Sequence, residues 1–364
     1  MIDAFDELLK TRPYSLNIKE KKELFLKYIK CSFEFHYQNC SEYKIFCDKK
    51  GILPSNITDI SKLPFLPVSI FKKIILLSVP KSQIVKTIKS SATTNNLPSL
   101  IPLDQTTIMR QMISLNSIMK DFLGNNKLDF IILDSENTLK DTDSNLSSRG
   151  SAIRGMLIFA KRFFCILNDK LEVESSLVSK VMTLDDTQKC IFGFTWLVYK
   201  IILENKNNEK FKNTLSNFKN SYILHIGGWK KLTDISVEKN QFNNEVSLFF
   251  NTTPNRVIDL YGMTEQLGIV YPDCEFGHKH VPVFSEILIR DRTTFDVLPD
   301  GQTGFIQVIS PIPNSYPGIS LLTDDLGQIL GRDNCQCGRK GTYFVFKKRS
   351  EIAEPKGCGD TLEI

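Results

Sequence analysis

Nothing in this sequence suggests a membrane protein or a secreted one. No apolar run approaches the roughly 20 residues needed to cross a bilayer. The first residues, Met1-Ile-Asp-Ala-Phe-Asp-Glu7, are acidic and lack the basic-then-apolar build of a signal peptide. The nine cysteines are odd in number and widely scattered, which fits reduced thiols in the cytoplasm better than a disulfide framework. A nucleic-acid footprint is also missing. The net charge is only +5, and the lysines of Lys19–Lys22 and Lys206–Lys219 read as solvated faces without aromatic interleaving. What remains is a globular chain of 364 residues, more than one core usually supports, so a large domain with a subdomain is expected.

The chain is organised around Ile258-Asp259-Leu260-Tyr261-Gly262-Met263-Thr264-Glu265. The β-branched run from Arg256 to Leu260 reads as a strand that stops at Gly262. Ligands of open α/β sheets bind at the carboxyl ends of strands. Tyr261 is placed there to stack on a base, Gly262 to let backbone approach, and Thr264 and Glu265 to hold a phosphate and its Mg²⁺. The alternative is an ordinary strand-to-helix turn whose first turn carries Glu265.

Other stretches repeat the pattern. Lys89-Ser90-Ser91-Ala92-Thr93-Thr94-Asn95-Asn96-Leu-Pro-Ser99 offers hydroxyls and backbone N–H groups to phosphate oxygens, or is a surface turn. Phe130-Ile-Ile-Leu133, ending at Asp134, reads as a buried parallel strand. Ser147-Ser-Arg149-Gly150 through Arg154-Gly155 is read as opening an apolar helix over Met156–Phe164, with arginines that face an anion or simply solvent. Gly193-Phe-Thr195-Trp196 continues a buried element, and Ser221–Ile226 is a third strand, ending at Gly227-Gly228. Strands alternating with helical segments predict a doubly wound α/β core. Pro299-Asp300-Gly301 signals a turn between antiparallel strands in a β-rich part after Leu260. Asn17 caps a predicted helix through Lys30 with Leu24, Phe25, Tyr28 and Ile29 on its buried side; His36 reads as a packing residue, and Pro64–Phe71 as a stiff apolar segment.

Tyr261-Gly-Met-Thr-Glu265, the Ser90–Ser99 loop, Gly227-Gly228 and Thr323-Asp-Asp325-Leu-Gly327 resemble the motifs of adenylate-forming enzymes. The closer similarity is to the acyl-protein synthetase (LuxE) family, in Leu66–Phe71, Ser147–Gly155, Gly193-Phe-Thr195, Gly227-Gly-Trp-Lys230 and Lys356-Gly-Cys-Gly359. The resemblance spans most of the chain. It implies the adenylate-forming large-domain fold with a β-rich subdomain and without the mobile C-terminal domain of the larger enzymes. It implies that ATP and a fatty acid give acyl-adenylate and pyrophosphate, that the acyl group passes to a cysteine, and that an acyl reductase or acyltransferase partner receives it. Residue by residue, Tyr261 would stack on adenine beside Gly227 and Gly228, and Ser90, Ser91, Thr93 and Thr94 would hold the phosphates. Thr264 would take the α-phosphate, Glu265 the Mg²⁺, Asp325 the ribose hydroxyls, and Arg349 ribose or phosphate. Such chemistry needs alignment and charge neutralisation, not a catalytic histidine. Lys89 and Lys230 are extra cations or surface lysines.

Two departures stand out. Ala92 occupies a position where relatives carry glycine, and Asn95-Asn96 replace a later glycine; a methyl where backbone should approach a phosphate would slow or abolish turnover. That motivates a second reading, a nucleotide- or acyl-binding relative that has lost catalysis. A third is a coenzyme A ligase of the phenylacetate type.

The cysteines carry two expectations. Cys358, flanked by Gly357 and Gly359 and near Lys356, is the candidate acyl acceptor, its thiolate favoured by the lysine. Cys274, Cys335 and Cys337 with His280 make the ligand set of a closed structural zinc site, with His278 nearly as good as His280; the alternative is unliganded thiols. The expected organisation is an α/β core with an N-terminal helical segment over 1–265, a β-rich subdomain over 266–345 and a tail over 346–364.

Overall fold

The structure, a computed structural model, describes residues 5–90, 97–140, 147–182, 188–216 and 220–350. In chain order the strands are β1 (Leu66–Pro67), β2 (Ile84–Lys89), β3 (Leu100–Asp104), β4 (Leu128–Ile132), β5 (Ala160–Cys165), β6 (Lys189–Phe194), β7 (Tyr222–Ile226), β8 (Val257–Tyr261), β9 (Tyr271–Pro272), β10 (Lys279–His280), β11 (Glu286–Arg290), β12 (Thr303–Ile309), β13 (Ser320–Arg332) and β14 (Thr342–Arg349).

Six of them form a sheet in the order β5-β4-β6-β7-β8-β9, parallel except for the antiparallel β9 at one edge. Its central strands are apolar on both faces, and the period-two alternation sorts their side chains into two cores. Ile131, Ile191 and Ile223 pack with Leu197 and Ile201 of the helix Thr195–Asn205 and with Phe242 and Val246 of Lys239–Phe249. Phe130, Phe192 and Leu224 belong to the other core, with Ile118 and Met119 of the helix Gln105–Leu123. This is the expected α/β core with helices on both faces.

The second sheet runs β10-β14-β13-β12-β11 and is antiparallel, with β1 joining β13 in parallel. The expected turn at Pro299-Asp300-Gly301 lies between β11 and β12: Gln302 N–H donates to the Pro299 carbonyl at 3.3 Å, and Gly301 takes a φ of 88° that favours glycine.

Two helix expectations are corrected. The helix capped by Asn17 runs over Ile18–Asn39, well past Lys30, because its buried stripe continues through Phe33 and His36 with no breaker. The cap is a full box, Asn17 accepting from Glu20 N–H and Glu20 from Asn17 N–H. The predicted helix over Met156–Phe164 is instead the helix Ser148–Leu157 followed by β5. The short apolar run spans two elements, and β5 is held at the sheet edge by Arg162, which grips the buried Asp129 carboxylate of β4 with bonds of 2.9 and 2.6 Å. His36 is a packing residue, as expected: buried, it bonds Ser78 Oγ and the Pro313 carbonyl. Among the described residues no helix is long and apolar enough to cross a membrane.

Candidate active site and a neighbouring thiol cluster

The carboxyl end of β8 meets the β-rich sheet, where Tyr261 contacts Asp325, Phe344 and Phe346, and β7 ends beside it. In the β7–β8 register the last pair is Ile226 with Leu260, so Gly227 and Tyr261 emerge side by side. Gly227 and Gly228 are exposed, Gly227 has a φ of 84°, and a side chain on Gly228 would meet nothing within 4 Å. The turn therefore opens onto free space.

Tyr261 is buried between the sheets. Its hydroxyl donates to Asp325 Oδ2 at 2.9 Å, and Arg349 Nε lies 3.4 Å from Asp325 Oδ1. Thr323 fixes Asp325 by accepting its backbone N–H at 3.1 Å while donating to the Ile306 carbonyl at 2.8 Å. Phe346 stacks on one face of the Tyr261 ring, at 5.7 Å between centroids and 27° between planes, and Phe344 meets its edge. Adenine stacking on Tyr261 therefore requires the opposite face or a displacement of Phe346.

Thr264, Glu265 and Gln266 form a single turn after Gly262. Burial raises the Glu265 carboxyl above its ordinary pKa, while the Ser99 hydroxyl, Lys72 and Arg349 pull it partly back. The loop that begins at Ser90 is closed at its base beside this turn: Ser90 N–H donates to the Ser99 carbonyl at 3.0 Å, and Ser99 N–H to Ser90 Oγ at 2.8 Å. Ser91, Ala92, Thr93, Thr94, Asn95 and Asn96 lie outside the described residues, as do Lys356 and Cys358. Arg149 does not face an open anion site; it pairs with the buried Asp134 at 3.0 Å and donates to Thr138.

On the segment after β9, on β10 and in the loop between β13 and β14, Cys274, His280, Cys335 and Cys337 gather so that their ligand atoms lie within 4.8 Å of one another. Cys274 and Cys335 sulfurs are 3.9 Å apart, and Cys337 Sγ is 3.2 Å from His280 Nε2. Tetrahedral zinc with bonds of about 2.3 Å to sulfur separates two thiolates by about 3.8 Å, so the donor set fits that ion in kind and spacing. Burial and the nearby Arg339 push His280 down to about 3, which keeps the imidazole in the neutral, ligating form. His278 touches Cys335 at 3.4 Å but stands outside the four-atom group. The Cys335–Gly338 segment is a turn, with Gly338 N–H bonded to the Cys335 carbonyl at 3.0 Å.

Sequence reasoning missed three participants. Arg339, two residues after Cys337, pairs with Asp121 at 2.8 Å and Glu275 at 3.1 Å. Lys279, on the strand between the two histidines, is buried between Asp259 at 2.8 Å and Asp273 at 3.3 Å. Thr195 bonds both His225 and the Gly227 carbonyl. A carboxylate inside the apolar β8 and a lysine inside β10 were the available signals, since a charge in a buried strand needs a partner.

A doubly wound sheet meeting a β-rich sheet over such a site defines the fold of adenylate-forming ligases. The solved structure of 2-hydroxyisobutyryl-CoA ligase in an open conformation, in complex with 2-HIB-AMP and CoA, superposes with a TM-score of 0.72 at 15% identity, covering 95% of this chain and 79% of that one. Residues 2–364 match the family described as acyl-protein synthetase, LuxE, and the chain belongs to that family of ligases. Among its relatives are the long-chain-fatty-acid–luciferin-component ligases of Vibrio harveyi, 25% identical over 352 residues (95% of this chain, 89% of the relative), and of Aliivibrio fischeri, 27% identical over 360 residues (97% and 91%).

Proposed function

We propose that this protein activates a long-chain fatty acid with ATP and then carries the acyl group on its own Cys358, for delivery to an acyl reductase or acyltransferase. The observation that carries the reading is the meeting of Tyr261, Asp325 and Arg349 with the Gly227–Gly228 turn and Glu265 at the strand ends, together with membership of the family.

In the first step a fatty carboxylate oxygen attacks the α-phosphorus of ATP, and the bond to pyrophosphate breaks. Asp325 is suited to accept from ribose hydroxyls, and Arg349 to offset phosphate charge. The hydroxyls of Ser90, Ser91, Thr93, Thr94 and Thr264 are the phosphate donors in this reading. Glu265 would hold Mg²⁺, which supplies charge neutralisation on the phosphates when bound; its raised pKa falls once a cation sits against it. In the second step the Cys358 thiolate attacks the acyl carbonyl, AMP leaves with the bonding electron pair, and a thioester remains. The Cys274, His280, Cys335 and Cys337 group would hold a structural zinc ion that fastens the loop between β13 and β14 to the segment after β9.

The test is fatty-acid-dependent ATP–pyrophosphate exchange over a range of chain lengths. Exchange in the wild type and its loss in Glu265→Gln are expected. A folded protein that binds ATP yet exchanges with no acid would reduce the reading to a binding protein.

A further inference from the structure

A buried polar relay runs from β10 to the Gly227–Gly228 turn. Lys279 donates to Asp259 Oδ2 at 2.8 Å and to the Asp259 carbonyl at 3.0 Å, and it also pairs with Asp273 at 3.3 Å. Lys239 closes the far side of Asp273 at 2.7 Å. Asp259 Oδ1 lies 3.7 Å from His225 Nδ1 on the neighbouring strand, where the two residues are in register. His225 Nδ1 is 2.9 Å from Thr195 Oγ1, and that hydroxyl is 2.6 Å from the Gly227 carbonyl oxygen.

The proton positions follow by elimination. A threonine hydroxyl has one proton, and a carbonyl oxygen can only accept, so the proton goes to Gly227. The hydroxyl must then accept from His225, which places a proton on Nδ1, and the Asp259 carboxylate beside it favours that tautomer. The relay therefore has a direction and ends on one backbone carbonyl. That carbonyl belongs to a residue with a φ of 84° at the exposed end of a central strand, where the neighbouring Gly228 opens onto free space. The same Asp259 is two residues before Tyr261, so one relay braces both strand ends.

We propose that Thr195 and His225 are positioning residues that hold the Gly227 peptide in the orientation that receives the nucleotide's adenine end. This rests on the adenylate-forming reading above and adds to it the group that sets the turn. Thr195 itself is buried and acts through Gly227 rather than by touching the reacting atoms.

The experiment uses the full chain and measures the KM for ATP, the KM for fatty acid and kcat in ATP–pyrophosphate exchange. Thr195→Val keeps the shape and removes the hydroxyl. It is expected to raise the KM for ATP by about tenfold, the size of one lost hydrogen bond, with little change in the KM for fatty acid. Thr195→Ser, which restores the hydroxyl, is expected to return the KM for ATP to near wild type. An unchanged KM for ATP in Thr195→Val, or a defect that serine does not rescue, overturns the proposal while leaving the activity intact. Should the valine variant fail to fold, the same comparison is made between His225→Leu, which removes the donor, and His225→Asn, which offers an amide N–H in its place. Equal KM values for ATP in that pair overturn the proposal as well. A wild type with no exchange and no ATP binding overturns the functional reading and this inference together.

Discussion

Tyr261 and Asp325, 64 positions apart, are joined by a single 2.9 Å hydrogen bond that ties the last parallel strand of one sheet to the longest strand of the other. Burial and the Asp325 charge hold the Tyr261 phenol well above its ordinary pKa, so at neutral pH it remains the donor of this bond. Tyr261→Phe should lower stability by about 1–3 kcal/mol, the range for a buried acceptor left unmatched, and weaken ATP binding. Thermal melting with and without ATP measures both effects. A variant with wild-type melting in each condition would show that the bond is not a brace.

Glu265 sits where burial disfavours its charge. A carboxyl whose pKa is raised by folding destabilises the fold once it ionises above that pKa, so removing the charge should not harm the protein near neutral pH. Glu265→Gln is therefore expected to melt at or above the wild-type temperature while losing exchange activity. A large drop in melting temperature would argue for a structural carboxylate instead.

The purified protein is expected to hold about one zinc ion per chain, measured by elemental analysis, and Cys337→Ser to lose most of it. Without the ion, burial pushes the Cys274 thiol up to about 12, so thiolate formation at that residue depends on the metal. Chelation should lower the melting temperature of the wild type and leave that of Cys337→Ser unmoved. Metal-free wild-type protein with unchanged melting behaviour would favour unliganded thiols.

His36 sets a pH limit on stability. Burial lowers its pKa from 6.5 to about 3, and in the neutral ring Nε2–H donates to Pro313 while Nδ1 accepts from Ser78. The unfolded chain binds this proton near pH 6.5 and the folded one only near 3. The contribution is therefore complete above pH 6.5 and is lost as the pH falls from there toward 3. Over that window this one group should cost about 1.4 kcal/mol per pH unit, and His36→Gln should flatten the dependence seen in urea unfolding at a series of pH values. An equally steep dependence in the variant would assign the effect elsewhere.

Cys358→Ser is expected to keep exchange activity and lose covalent labelling by radioactive fatty acid in the presence of ATP. Retained labelling on another cysteine would move the acceptor. Loss of both activities would tie Cys358 to the first step as well.

The parallel sheet was legible because β4 and β7 are short apolar runs bounded by turn residues, and Tyr261 and Gly227 were legible as neighbouring strand ends, which the β7–β8 register sets side by side. The boundary at Met156–Phe164 was not, because its apolar residues carry no period that separates a helix from the strand after it, and the decision is made by pairing with β4. The relay from Lys279 to Thr195 was hidden for a different reason. Its members come from β10, β8, β7 and the helix Thr195–Asn205, and only the strand register brings them into contact. The zinc-type ligand set was legible as residue types, but the choice of His280 over His278 depends on ångström-scale placement in the fold.

The two-residue strand Leu66–Pro67 pairs with Leu321 and Leu322, and the N-terminal helix binds the far end of the chain as well, through Lys21 to Glu286 at 3.1 Å and Ile18 N–H to Asp333 at 3.0 Å. During synthesis these partners emerge more than 250 residues after the segments they hold. Closing such long loops is entropically slow, so the apolar stripe of Phe25, Tyr28, Ile29 and Phe33 is covered first by its neighbours in sequence, Phe5 on Tyr28 and Tyr43 on Phe33, and the polar ties to the far sheet form late. The order of synthesis thus divides assembly in two: the early helices pack on one another from local contacts, and they dock only once the β-rich sheet has emerged.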